Sequence, residues 1–302
     1  MLVRVLTLCL FAALAGLSPA RADDALVVGV MNDQSGPYAD LSGPGGVPIA
    51  RMAIEDFGAT VLGKPIELLA ADHQNKVDVG LQIARQWYDE RRVRAIFDIN
   101  NSGVALALQD LAKARDRIVI FDSASSSDLT GKACSPNGIQ WNADNWSNGV
   151  ALMRLLIAKR HDSFFFTTAD YAFGASVEAD ARDAIMHAGG TVVGAVRSPL
   201  NTADFSSYLV DAQASKAKVI VFAVAGADLL NAVKQASEFH LARRNISPPQ
   251  SPISATSTQP DSTSPTTSPS CNPGIGTSTI RRALSASAFS PAATPAQICG
   301  CA

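Results

Sequence analysis

Between residues 25 and 244 the sequence alternates seven short apolar runs with segments of helical period, and that alternation restricts the chain to an α/β architecture. The runs are ALVVGVM (25–31), PIELLAA (65–71), RAIFDI (94–99), RIVIFD (117–122), DSFFFTT (162–168), TVVGAV (191–196) and KVIVFAV (218–224). They are rich in Val, Ile and Phe and apolar on both faces, as strands covered by helices on both sides must be. Between them Val79, Ile83 and Trp87 recur at three-to-four spacing over 76–90, and Val104, Leu108 and Leu111 do so over 102–115. Strand alternating with helix implies parallel sheets joined by right-handed crossovers. Seven strands fit two lobes side by side. The boundaries expected are an N-terminal lobe over 23–141 and a C-terminal lobe over 142–244, divided after the loop ASSSDLTGKACSPNGIQW.

The two ends of the chain read differently. Residues 1–22 have the form of a cleaved export signal: cationic MLVR, the apolar run VLTLCLFAALAGL, and small residues Ala20 and Ala22 around Arg21. The apolar run is too short to span a membrane, and Cys9 lies inside it rather than after it, so no lipid-anchoring cleavage is expected. The formal charge of −2 becomes −4 once Arg4 and Arg21 are removed. No basic stripe remains to suggest nucleic acid or an anionic membrane as partner. Export places the chain in an oxidising compartment, yet Cys134 has no second cysteine within the regular part of the sequence. At the other end, residues 245–302 hold 12 Ser, 8 Thr and 9 Pro, no Lys and a single acid, Asp261. Such a composition buries too little apolar surface to offset chain entropy, so this tail is expected to be disordered.

Catalytic patterns are weak. His73, His161, His187 and His240 are too far apart for a metal-ligand spacing, and the sequence contains neither a G-x-S-x-G elbow nor a G-x-x-x-x-G-K-[ST] loop. GPGG at 43–46 lacks a third glycine and reads as a turn. Asp72, Asp98 and Asp170 end strands, where helix capping is their plainest role. No metal and no cofactor is expected.

Ligands of open α/β sheets bind beyond the carboxyl ends of the strands. There the sequence places Asn101 and Ser102 after RAIFDI, and Ser123, Ala124 and Ser125 after RIVIFD. Hydroxyls at a helix start, with free N–H groups and the positive dipole end, suit a carboxylate; for each serine an ordinary N-cap is the alternative. Tyr171, after SFFFTT, stands at the mouth of the second lobe, with Tyr38 facing it from the first. Trp141 and Trp146 flank the junction and are expected to pack there.

GVMNDQSGPYADLSGPG, AADHQNKVDVGLQIARQWYDE, NNSGVALAL, SSSDLTGKACSPN, TTADYAFG and SPLNTADFSSYL together resemble the solute-binding proteins of ABC importers, of the branched-chain amino acid (leucine-binding) type. The resemblance covers about 25–244 and implies the type I periplasmic-binding fold: two parallel-sheet, Rossmann-like lobes that close on a small ligand and present it to permease subunits in the inner membrane. It further implies a periplasmic location and an amino acid or similar small carboxylate as ligand, bound without catalysis. Ser102 and the stretch Ser123, Ala124, Ser125 match the family's carboxylate-holding positions, and Tyr171 its second-lobe tyrosine. Where the family places another aromatic contact this sequence has AGAD (225–228), which leaves side-chain specificity open. A sensory module not coupled to transport is the alternative within this reading.

The resemblance also implies further strands after 244 and an acid for the ligand's amino group, which the tail does not supply. Bases that encode Ser254 to Thr258, grouped one base earlier, can spell Ile-Ser-Asp-Val-His, and those of Asn272 to Arg282 can spell Ser-Arg-Asn-Trp-Asp-Glu-His-Asp-Pro-Thr-Arg. Both are family-like, so the tail reads as another frame of the missing part, with the second lobe incomplete and weak stability and poor or no ligand binding expected. Sequencing codons 240–302 checks this: codons unable to spell both segments in that frame rule it out.

Overall fold

The computed structural model describes residues 25–241 and, beyond them, three short strands at 244–246, 254–257 and 297–298. The export-signal stretch and most of the tail lie outside the described residues. The first lobe is built from β1 (Leu26–Asn32), α1 (Gly43–Asp56), β2 (Thr60–Val61), β3 (Lys64–Asp72), α2 (Val77–Asp89), β4 (Ala95–Phe97), α3 (Ser102–Arg115), β5 (Ile118–Phe121) and β6 (Gly138–Gln140). The second holds α4 (Asn145–Ala158), β7 (Ser163–Ala169), α5 (Ala172–His187), β8 (Thr191–Ser198), α6 (Ser206–Ala214), β9 (Val219–Ala223) and α7 (Gly226–Glu238). The seven expected strands are present, and α2 and α3 fall within one residue of the limits their periodicity gave.

In the first sheet β1 is paired in parallel with β3 on one side and β4 on the other, and β5 and β6 continue outward from β4. One face is closed by α2 and α3, whose Ala84, Trp87, Val104, Leu108 and Ala112 pack with Val27, Met31, Ile96, Val119 and Phe121. Burial there depends on Gly29: a Cβ at that position would lie 2.2 Å from the Trp87 ring. In the second sheet, β7 lies between β8 and β9. Phe164, Phe166 and Val221 pack on one face with Met153, Val177 and Ile185, while Phe165, Ile220 and Phe222 pack on the other with Leu209 and Ala232.

The expectation that every run is covered on both sides holds for β7 and β9 but not throughout. β8 alternates exposed and half-buried residues because it is an edge strand. The other face of the first sheet is thinly covered: Gly43 is the sole fully buried residue of α1, and Ile49 and Ile118 remain exposed. GPGG is not a free turn but the first turn of α1, with Pro44 at a position where the missing N–H costs nothing.

The expectation of a disordered tail falls almost wholly on residues outside the described ones; three short stretches at and beyond Arg244 are described. β10 (Arg244–Ile246), β11 (Ser254–Ser257) and β12 (Gln297–Ile298) pair as strands, β11 antiparallel to β9 and β12 antiparallel to β6. A ladder is made of backbone groups, which small polar residues supply as well as apolar ones. Cys134, which has no second cysteine within residues 25–241, is disulfide-bonded. Replacing Gly29 by Ala should cost about 1–3 kcal/mol by forcing the Trp87 ring aside, read as a lower urea midpoint at unchanged slope.

Candidate functional site

β1 ends in Asn32, and Asp33 follows it; both are fully buried. The Asp33 carboxylate accepts the N–H of Gly36 at 2.8 Å and of Tyr38 at 2.9 Å, closing an Asx-type turn. Asn100, after β4, accepts the Asp33 N–H at 3.0 Å and donates to the Tyr38 carbonyl at 3.3 Å and the Ser42 hydroxyl at 3.0 Å. These bonds fix Tyr38, which is 2% exposed, beyond the end of the sheet.

From the other lobe comes Tyr171, whose hydroxyl is hydrogen-bonded to that of Tyr38; their ring centroids lie 6.3 Å apart, and Tyr171 stacks on Phe173 at 6.0 Å. Burial pushes both hydroxyls well above the usual tyrosine range, and Asp228 adds to this in each case. Both therefore stay neutral and can donate as well as accept. The facing of Tyr38 and Tyr171 is thus direct.

Asn101 and Ser102 stand where α3 begins, 2% and 1% exposed. Asn101 is the cap: its Oδ1 accepts the Val104 N–H at 2.9 Å and its amide donates to Asn75. Ser102 is the first residue of the helix proper. The next loop is tied to this one by the Ala124 N–H, which donates to the Ile99 carbonyl at 2.9 Å. Within it the Ser125 hydroxyl donates to the Ser123 carbonyl at 3.2 Å and accepts from Asn142 at 3.0 Å, so Ser125 anchors the crossover between lobes. The lobes touch again where Ser127 donates through its hydroxyl to Asp180 at 2.7 Å and through its N–H to Ser176 at 3.2 Å.

Several expectations fail here. Trp141 and Trp146 do not pack at the junction but are 59% and 53% exposed. The inward face of α4 is set by Asn145, Gly149, Leu152, Met153 and Leu156, and Trp146 lies off it. Asp72 and Asp98 cap no helix. Asp72 accepts the N–H groups of Gln34 and Gln74 and the Ser35 hydroxyl, while Asp98 accepts from Asn32 at 2.6 Å. Asp33 and Asn100, which sequence reasoning missed, hold Tyr38; the spacing of Asp33 from Gly36 was the available signal.

Two lobes with parallel sheets are joined by a crossover and meet through residues beyond their strand ends. A family model described as periplasmic binding protein matches residues 25–273. The chain belongs to the periplasmic binding protein family. It resembles a periplasmic binding protein of Burkholderia mallei, 39% identical with a TM-score of 0.70, over 72% of this chain and 58% of that one. A branched-chain amino acid ABC transporter periplasmic ligand-binding protein from Burkholderia xenovorans is 40% identical over the same shares, with a TM-score of 0.58. A solute-binding protein of an ABC transporter from Rhodopseudomonas palustris, solved with p-hydroxybenzoic acid, is 25% identical with a TM-score of 0.65, over 72% of this chain and 59% of that one. Among curated relatives, a Leu/Ile/Val-binding protein homolog of Brucella melitensis is 25% identical over 70% of this chain and 54% of its own. This periplasmic binding protein thus spans a little over half the length of those relatives.

The periplasmic binding protein has a concavity of about 550 Å³ between α1 and the ends of β1, β4 and β5, lined by Val30, Ile49, Ala53, Phe97, Asp98 and Asp122. Asp122 is an exposed residue at the rim of this concavity, yet partial desolvation of its carboxyl, and then the neighbouring Asp98, push it up to about 6. The folded state therefore holds this proton more tightly than the unfolded chain does. Its contribution to stability is complete below pH 3.8 and is lost as pH rises through about 6. Asp122→Asn should raise the melting temperature at pH 7 by about 2 °C and leave it unchanged below pH 4; an equal shift at both would refute the assignment.

Proposed function

We propose that this chain is the ligand receptor of an ABC importer and takes an amino acid or related small carboxylate between its lobes in the periplasm, for delivery to permease subunits. The observation that carries the reading is the stapled pair of loops at the ends of β4 and β5, with buried Ser102 opening α3 and the Ser123–Ser125 stretch beside it, joined through Ala124 and Ile99. A helix start supplies N–H groups and a positive dipole end to an anion, and a serine hydroxyl there adds a donor without adding charge. Tyr38 and Tyr171 would complete the enclosure from above, with neutral hydroxyls that bond to either a donor or an acceptor on the ligand. In this scheme Asn101 holds the helix start rather than the ligand, and Ser125 holds the crossover. No step of bond-making is assigned.

A second ligand within the same class, a hydroxylated benzoate, is favoured by the aromatic group formed by Tyr38, Tyr171 and Phe173. The relative solved with p-hydroxybenzoic acid supports including it.

The test is a melting-shift and calorimetry panel of leucine, valine, alanine, benzoate and 4-hydroxybenzoate on the exported chain. At least one should raise the melting temperature, and Ser102→Ala should weaken it about tenfold, the loss of roughly one charge-assisted bond. A carboxylate that binds with equal affinity to the Ser102→Ala variant would overturn the placement.

A further inference from the structure

We infer that Gly226 is the positioning residue that lets the two lobes meet, by leaving room for Tyr38 against the second lobe; this rests on the reading of the cleft as a ligand site. Gly226 opens α7 with φ +59, a left-handed conformation that favours glycine. More telling is what lies against it. A Cβ built there would come within 2.5 Å of the Pro37 carbonyl oxygen, 2.7 Å of Tyr38 Cδ1 and 3.2 Å of Tyr38 Cε1. Pro37 and Tyr38 belong to the first lobe and Gly226 to the second, so the bare Cα of one lobe is the seat for a ring of the other. The adjacent Ala227 N–H donates to the same Pro37 carbonyl at 3.3 Å.

Neither side can yield easily. On the first lobe the turn is held by the Asp33 carboxylate at two N–H groups and by Asn100 at the Tyr38 carbonyl. On the second, Asp228 in the first turn of α7 is 1% exposed and accepts the Asn201 N–H at 3.0 Å. A methyl group between two pinned surfaces would be relieved by moving the lobes apart, which would also draw the Tyr38 hydroxyl away from Tyr171. The AGAD stretch thus has a positive use. Where the family resemblance leads one to expect an aromatic from the second lobe, this chain has a vacant Cα, and the aromatic wall is supplied by Tyr38 from the first.

The experiment is carried out on the ligand-free full chain with ring-labelled tyrosine, of which there are four residues to resolve, Tyr38, Tyr88, Tyr171 and Tyr208. Gly226→Ala is compared with Gly189→Ala, a second-lobe glycine also at positive φ (+81) whose Cβ would meet nothing within 4 Å. Both substitutions should lower stability through backbone strain. Gly226→Ala alone should shift the Tyr38 and Tyr171 ring signals, leave Tyr88 and Tyr208 in place, and increase the radius of gyration in solution scattering. Should Gly226→Ala fail to fold, it is made together with Tyr38→Ala, which removes the ring that the added Cβ would meet; the double variant should then fold, and a double variant that unfolds as Gly226→Ala does, while Tyr38→Ala alone folds, would also overturn the inference. Unchanged Tyr38 and Tyr171 signals in the 226 variant, or the same shifts in Gly189→Ala, would overturn the inference. Failure of the cleft reading appears elsewhere, as the absence of any melting shift in the ligand panel.

Discussion

β1 is hydrogen-bonded on both sides, to β3 and to β4, and the first lobe's contact with the second through Tyr38 hangs from its carboxyl end. A strand paired along both edges fixes where its last residue emerges. The backbone of Asn32 meets His73, the Asp33 N–H meets Asn100, and the Asp33 carboxylate then shapes the turn that carries Tyr38. Remove the pairing and the tyrosine has no defined height above the sheet.

Carboxylates recur along this edge, and their surroundings separate them by role. Asp33 has backbone N–H groups aimed at it and acts as a structural acceptor. In buried Asp98 and exposed Asp122 desolvation of the carboxyl is the largest influence, and both are shifted upward, so they favour the protonated form more than a fully solvated acid does. His73 follows the same logic with the opposite sign: burial lowers its pKa, and its Nδ1 accepts the Asn75 N–H, which leaves a neutral ring with the proton on Nε2. This edge thus combines carboxylates held by N–H groups with a neutral imidazole.

Local pattern made much of this legible. Apolar runs gave β1, β3, β4, β5, β7, β8 and β9, and three-to-four spacing gave α2 and α3. The start of α3 placed Asn101 and Ser102, since a cap is read from a few neighbouring residues. What escaped depends on distant partners. That Gly29 must be bare because of Trp87, that Gly226 must be bare because of Tyr38, and that Asn100 serves Tyr38 are relations across tens of residues that periodicity does not encode. Trp141 and Trp146 mislead for the same reason: large apolar rings near a junction suggest packing, but the register of α4 and the end of β6 turn them outward. The short strands β10 to β12 pair through backbone groups, and a backbone ladder makes few demands on composition.

One edge of the second sheet merits a different description. β8 is its outermost strand, and its pairing with β7 slips in register between Phe164 and Phe165, beside Gly194, where a Cβ would strike the Phe165 ring at 2.8 Å. A slip of this kind bends and twists a strand out of the flat geometry that another chain could copy. The irregularity therefore works against self-association: the fold keeps an open row of backbone groups soluble by making it a poor template.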